Sequence, residues 1–470
     1  MTERALATAW VAHLRAGGTT PWGDFGSGSP GGPPGEWPPG DGATGGRTSG
    51  EWPTGEWPTG PAGLPAAGQL ELVRRLNAAR PTGAGPLPGP LVDRVLATSA
   101  PGRGLPDRAL VGVGDGTRFG PPPADPTAVP AAELVRLAAG VLAEVAAGAC
   151  PEMDADVHAD PDSVPDVGPG SGPGSGPGSG PGTDPVPGRR PVPWRRDHRL
   201  AGDPHLARVT GSALEVAGHR RGLRPPVVLV LGDDLSRVLA DVWRWRVTSR
   251  GVTPTWDWWV RHWAARDQLP PRADLTAIAD RWAARVGPGR VHLLVGPDPL
   301  ADAGRLLGHR GPLAPSGLSS RADRADSADR AYSADQADQG LSAAAVELVR
   351  QLNRVLRVLV PPARHQQVLG RVTATWLAAE TGPPPALPDE VREWVRARAE
   401  RMRSQIAAAR YPVHGDPDAL LPRAVDDPGG PAGPGGPGGP AGGPAGGGSM
   451  DEAVLDVALR TLLSAKEAGR

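Results

Sequence analysis

Apolar residues recur at helical spacing in four stretches of the first 150 positions: Leu6, Trp10 and Leu14; Leu70, Val73 and Leu76; Leu91, Val92, Val95 and Leu96; and Leu134, Leu137, Val141, Leu142 and Val145. The spacing predicts helices over 2–15, 64–80, 90–98 and 130–148, the first with Thr2 as N-cap and Glu3 in its opening turn. The second half reads differently. Its run Val227-Val-Leu-Val-Leu231 is apolar without alternation and is bracketed by Pro and Gly, which suits a strand covered on both faces. Helices are predicted over Leu206–Leu223 and over 234–247, 256–266 and 273–285, followed by a second strand over Arg290–Gly296. Strand, helices, strand implies parallel pairing through a crossover. Three longer helices are predicted over 342–359, 362–379 and 389–410, the last opening at Pro388-Asp389-Glu390 and stopped by Tyr411-Pro412. A final amphipathic helix within 450–470 places Val454, Leu455, Ala458, Leu459 and Leu462 on one face, which needs a surface to cover, either in this chain or on a protein partner.

Between these segments the patterning fails, and composition says why. Gly (67) and Pro (58) exceed a quarter of the 470 residues, a level associated with low-complexity chain. They are densest in 23–63, with Gly-Glu-Trp-Pro repeated at 35–38, 50–53 and 55–58; in 151–190, an acidic run passing into a Ser-Gly-Pro-Gly repeat; and in 426–449. Residues 311–340 stutter through Arg-Ala-Asp, Ser-Ala-Asp and Gln-Ala-Asp without an apolar face. These stretches cannot bury a core and read as disordered insertions and linkers. The expected organisation is a helical N-terminal unit (1–22 and 64–150), an α/β domain (191–425, with 311–340 inserted) and a tethered C-terminal helix (450–470).

Net charge is −1, so no long-range field favours DNA or an anionic bilayer, and neither nucleic acid nor membrane is expected as a partner. The start lacks a secretory apolar core and Cys150 is the sole cysteine, which together suggest a cytoplasmic protein without disulfides or a Cys-based zinc site. Lys466 is the sole lysine. Walker-type phosphate loops, kinase-like sites and Schiff-base enzymes depend on an ammonium that guanidinium imitates poorly, so those classes are disfavoured. Ala109-Leu-Val-Gly-Val-Gly-Asp-Gly-Thr117 has the look of a phosphate cradle, but Phe119-Gly-Pro-Pro-Pro intervenes before the next helix, so it reads as a surface turn. Residues 154–162 alternate acids around His158 without the Gly and Glu of a calcium loop. Seven tryptophans fall between 243 and 282; Trp256, Trp259 and Trp263 share a helical face, as core stripes do, while Trp258 and His262 point elsewhere. His262, His292, His365 and His414 have no carboxylate or nucleophile at diagnostic spacing, and no metal motif is present.

Two distant segments echo each other. Leu6-Ala-Thr-Ala-Trp10 followed by Thr20-Pro21-Trp22 parallels Leu239-Ala-Asp-Val-Trp243 followed by Thr253-Pro254-Thr-Trp256. Glu71-Leu-Val-Arg-Arg-Leu-Asn77 then parallels Glu347-Leu-Val-Arg-Gln-Leu-Asn353, in the same order. An ancient duplication predicts this, and so does repeated use of similar amphipathic helices in a chain rich in Ala, Leu and Arg.

The segments Val391-Arg-Glu-Trp-Val-Arg-Ala-Arg-Ala-Glu-Arg-Met402 and Ile406-Ala-Ala-Ala-Arg-Tyr-Pro-Val-His-Gly-Asp-Pro-Asp-Ala-Leu-Leu-Pro422 resemble the C-terminal helix and tail of bacterial sulfotransferase-like proteins. Val227–Trp243, Thr253–Asp257 and Arg281-Trp282 through Arg290-Val-His292 resemble that family's middle part in the same order, so the likeness covers about 225–422. The resemblance implies a P-loop sulfotransferase-like α/β fold, here mostly helical with a small parallel sheet, and 3′-phosphoadenosine-5′-phosphosulfate as donor. It also implies a Lys-containing sulfate loop, which this chain lacks; Arg15-Ala-Gly-Gly-Thr-Thr20 has a similar turn but follows a helix. Where the family places an Arg for the nucleotide's 3′-phosphate, this chain has Asp233. Ligands of open α/β sheets gather behind a strand such as 227–231, and Ser236, Arg237, Arg244 and Arg250 are the candidate residues of an anion site there. The reading is a degenerate sulfotransferase-like protein, non-catalytic or of altered ligand chemistry and with no cofactor. The alternatives are an active transferase using Arg for its donor and a helical scaffold that binds partners.

Overall fold

The computed structural model describes residues 2–27, 64–99, 107–113, 122–149, 198–219, 227–296, 298–309, 340–423 and 449–465. The readings made on Cys150, on the acidic run around His158, on Lys466 and on nearly all of the four Gly/Pro-rich or stuttering stretches lie outside the described residues. Among the described residues, five α-helices form the N-terminal part: α1 (Glu3–Arg15), α2 (Trp22–Ser27), α3 (Ala67–Ala78), α4 (Gly89–Ala97) and α5 (Ala131–Gly148). The first four predicted segments are thus helical. The segment expected to be unstructured from 23 instead opens with α2, because Trp22 packs on Trp10 and Phe25 on His13, giving this turn a surface of its own.

The second part is α/β. Four parallel strands, β1 (His198–Gly202), β2 (Val227–Gly232), β3 (Val291–Val295) and β4 (Val413–Gly415), lie in the order β1-β2-β3-β4. Val228 pairs with Val291 and Leu293 with Val413, the parallel pairing that the strand–helices–strand order predicts. β1 leads to β2 through α6 (Pro204–Val216). α7 (Leu235–Arg250), α8 (Trp256–Ala265) and α9 (Leu275–Val286) connect β2 to β3. α10 (Pro299–Leu306), α11 (Ala343–Leu359), α12 (Pro362–Arg371) and α13 (Asp389–Ala407) precede β4. Side-chain oxygens cap most of these helices: Asp203, Asp234, Thr255, Asp274, Asp298 and Ser342 each accept a first-turn N–H.

Every residue of β2 is buried, as its unbroken apolar run requires. Val227, Leu229 and Leu231 pack with Leu214 of α6 and Ala303 of α10, while Val228 and Val230 face the larger cluster that includes Val238, Trp243 and Ile278. That cluster runs on without a break into the N-terminal helices. The last helix, α14 (Met450–Ala465), lies on α5 and α11, and Val454, Leu455, Ala458, Leu459 and Leu462 are all buried. Its apolar face is therefore covered within this chain. Two predicted boundaries move. The helix expected over Leu206–Leu223 ends at Val216, where Gly218 turns the chain with φ +84°. The helix expected over 362–379 gives way after Arg371 to a π-helical turn over Val372–Trp376.

Candidate functional site at the carboxyl edge of the sheet

Ligands of open parallel sheets gather beyond the carboxyl ends of the strands. Here β1 stops at Gly202, whose φ of +92° and closeness to Leu231 leave no room for a side chain; a Cβ would lie 2.2 Å from the Leu231 carbonyl oxygen. Asp203 follows directly and is 1% exposed, with Oδ1 accepting the Leu206 N–H at 2.9 Å. β2 stops at Gly232 and is followed by Asp233 and Asp234. Asp241, on the second turn of α7, is also buried. Four carboxylates thus stand at the edge where the resemblance implies a phosphosulfate. Burial raises the Asp203 pKa well above the ordinary value, and the charges of Asp241 and Asp233 push it further in the same direction.

Each nearby cation is already engaged. The Asp234 carboxylate occupies the N-terminus of α7: Oδ1 accepts both the Ser236 N–H, at 2.8 Å, and the Ser236 hydroxyl, and Oδ2 accepts the Arg423 N–H at 2.8 Å. Arg237 Nη1 donates to Asp233 Oδ2 at 3.2 Å, and Arg423 Nη2 lies 3.5 Å from Asp233 Oδ1. Arg244, 9% exposed, is tied to Asp241 at 2.9 Å and to the Gly382 carbonyl at 3.2 Å. Arg250 ends the same helix, its guanidinium 5.3 Å from the centroid of Trp245.

The four candidate anion ligands are therefore not brought to one place. Ser236 and Arg237 sit in the first turn of α7, Arg244 is buried against Asp241, and Arg250 lies about 21 Å further along the helix from Ser236 at 1.5 Å per residue. A helix N-terminus attracts an anion through its open N–H groups and positive end, and Asp234 already fills both roles. Donor phosphates and sulfonate do not fit this edge as it stands. The second place where the resemblance could supply a donor loop, Arg15 to Thr20, is also committed. Arg15 pairs with Asp93 at 2.8 Å, Thr19 O accepts from Arg74 and Thr20 O from the Trp10 indole.

Sequence reasoning missed three participants. Asp203 had a signal, since Gly202-Asp203-Pro204 reads as a strand end, an N-cap and a first-turn proline. Arg423 and Gly382 had none, because each arrives from a remote part of the chain. The aromatic stripe is core as expected: Trp256 and Trp259 are buried and stack at 5.8 Å, whereas Trp258 is 55% exposed and stacks on His262. His292 and His414 pair with each other, Nδ1 to Nε2, at 3.0 Å. No group of three or more His, Cys, Asp or Glu among the described residues could hold a metal ion, and no described helix is long and apolar enough to cross a membrane.

A groove of about 600 Å³ lies between α9 and α13. Its α9 wall carries Asp274 and Asp280, its α13 wall Arg398 and Arg401, and Tyr411 closes one end. Burial, then Asp280 and Asp274, push the Tyr411 phenol up to about 12. Arg398 and Arg401 both pair with Asp267 outside the groove's walls, so two of the three arginines that line the groove, Arg410 being the third, are engaged elsewhere. Compared with protein-family models, with curated proteins and with solved structures, the chain matches none.

Proposed function

We propose that this chain is a degenerate sulfotransferase-like protein that has lost donor binding and is non-catalytic or turned to other ligand chemistry. The reading joins the resemblance over about 225–422 to one observation: the first turn after β2 is closed by Asp234, with Asp233 beside it paired to Arg237 and Arg423. Two like charges about 4 Å apart cost on the order of 4 kcal/mol at an effective dielectric near 20, and four carboxylates line this edge. The arginines that would offset that cost must first leave their own carboxylates. No step of sulfonyl transfer is therefore assigned to any residue of this chain.

Calorimetry of the full chain with 3′-phosphoadenosine-5′-phosphate tests the reading. The expected result is no saturable heat at nucleotide concentrations of roughly 100 µM, a dissociation constant above which binding is worth less than about 5.5 kcal/mol. Micromolar binding that disappears in Arg237→Ala or Arg15→Ala would restore an Arg-based donor site and an active transferase.

A further inference from the structure

Two sets of contacts, far apart in the chain, are the same. Trp10 on α1 donates its indole N–H to Thr20 O at 3.0 Å and packs on Trp22 with centroids 5.3 Å apart and rings inclined at 57°. Trp243 on α7 donates to Pro254 O at 3.3 Å and packs on Trp256 at 5.7 Å and 59°. Asn77 of α3 donates to Leu14 O and Gly18 O at 2.8 and 2.9 Å; Asn353 of α11 donates to Val247 O and Val252 O at 2.9 and 3.4 Å. Arg74, held by Glu71, reaches Thr19 O, and Arg350, held by Glu347, reaches Thr253 O. A left-handed glycine, Gly17 or Gly251, stands at the matching place in each loop.

Reuse of amphipathic helices in a biased chain would repeat apolar faces. It would not repeat which carbonyl each side chain addresses, because that depends on the register between two separate helices and the loop joining them. Five helices correspond in chain order: α1 with α7, α2 with α8, α3 with α11, α4 with α12, and α5 with α14. The last pair does not stand out in the sequence. Leu134, Val135, Leu137 and Leu142 of α5 are buried at the same spacing as Val454, Leu455, Val457 and Leu462 of α14.

α5 and α14 also pack on each other, and each touches both α3 and α11. Each thus contacts its own unit's long helix and the other unit's, as in an approximate two-fold contact, although α5 lies closely along α11 while α14 touches α3 only slightly. We infer that the molecule is a dimer fused into one chain, two copies of one helical unit, and that the α5–α14 pair is the surface by which such a unit binds a second copy of itself. Among the described residues, the sheet, α6, α9, α10 and α13 belong to the second copy alone. In the full chain the dimer surface is filled in cis. With α14 removed, the occupant that fits the exposed α5 and α11 is a copy of the α5 helix by itself, since an intact second unit would bring its own α3 to the place α11 already holds. This inference does not rest on the sulfotransferase reading.

Binding of a peptide of residues 130–148 to a chain lacking residues 449–470 tests it. The shortened chain is expected to take up this peptide and to melt higher in its presence, and not to respond to the same peptide with its apolar positions shifted by two. A folded shortened chain that binds neither peptide, or both alike, overturns the inference. Since truncation can also prevent folding, a second pair of variants decides independently. Residues 130–145 are grafted in place of 450–465, once in the matching register and once shifted by two positions. The matched graft is expected to stay monomeric and to melt within about 5 °C of the native chain, while the shifted graft melts as low as the shortened chain. If both grafts melt alike, α5 and α14 are not equivalent and the fused-dimer inference fails.

Discussion

At the end of β1 the Asp203 carboxyl is shut away from water, and its pKa is raised by burial, by Asp241 and by Asp233. An acid whose folded pKa lies above its unfolded value costs stability as pH rises from the unfolded pKa through the folded one, and the full cost remains above that. Asparagine keeps an oxygen for the Leu206 N–H and never ionises. Asp203→Asn is therefore expected to melt at or above the native temperature at pH 8, with the difference shrinking toward pH 4. A variant that is less stable than the native chain at pH 8 would mean that the negative charge is needed there. The two buried asparagines are predicted to behave alike. Asn353→Leu strands the Val247 and Val252 carbonyls and Asn77→Leu strands those of Leu14 and Gly18, so each should lose about 1–3 kcal/mol in denaturant titrations. Single residues of this kind were half legible. Glu347 through Asn353 stood out as a copy of Glu71 through Asn77, but nothing in either heptad says that the asparagine turns back onto a loop.

Among the elements, the long helices were legible because each carries several turns of one apolar stripe with a capping residue or proline at its start. The edge strands were not. β1 has Leu200 as its one large aliphatic residue, and β4 is three residues long, so strand conformation is imposed there by pairing to β2 and β3. The close approach of β1 to β2 rests on Gly202. Gly202→Ala sets a Cβ against a backbone oxygen that cannot step aside, whereas Gly251→Ala meets the movable ring of His365. The first is expected to cost more than the second, roughly 3 kcal/mol or above, with both read as shifts in urea midpoint. In α14, Leu455 is fully buried, and Leu455→Ala is expected to lose about 2–5 kcal/mol, more than any single ion pair of that helix contributes. A loss below about 1 kcal/mol would mean that α14 is not docked in solution as it is here.

Taken whole, the molecule joins regions that composition separates. Helix α5 precedes the Gly/Pro-rich stretch 151–190 yet packs on α11 and α14, and α14 follows the Gly/Pro-rich stretch 426–449. Arg75 pairs with Glu452 and Arg460 with Glu380, so α14 is pinned to both halves, though these exposed pairs contribute little energy beside the apolar face. A protease site inserted within 151–190 should therefore yield two fragments that still elute together; separate elution would show that the shared core is not what joins them.

The chain's own order of residues determined where most of the helices begin, where β2 and β3 run and that these two pair in parallel, because those depend on local periodicity, caps and breakers. It also carried the echo between the two halves. Only the tertiary structure decided that the carboxyl edge of the sheet is closed by Asp203, Asp233 and Asp234 with Arg423 arriving from far along the chain. It alone placed α14 against α5. Both depend on which distant surfaces meet, and the free energy that selects those meetings comes from buried area and charge pairing between segments whose spacing along the sequence carries no trace of it.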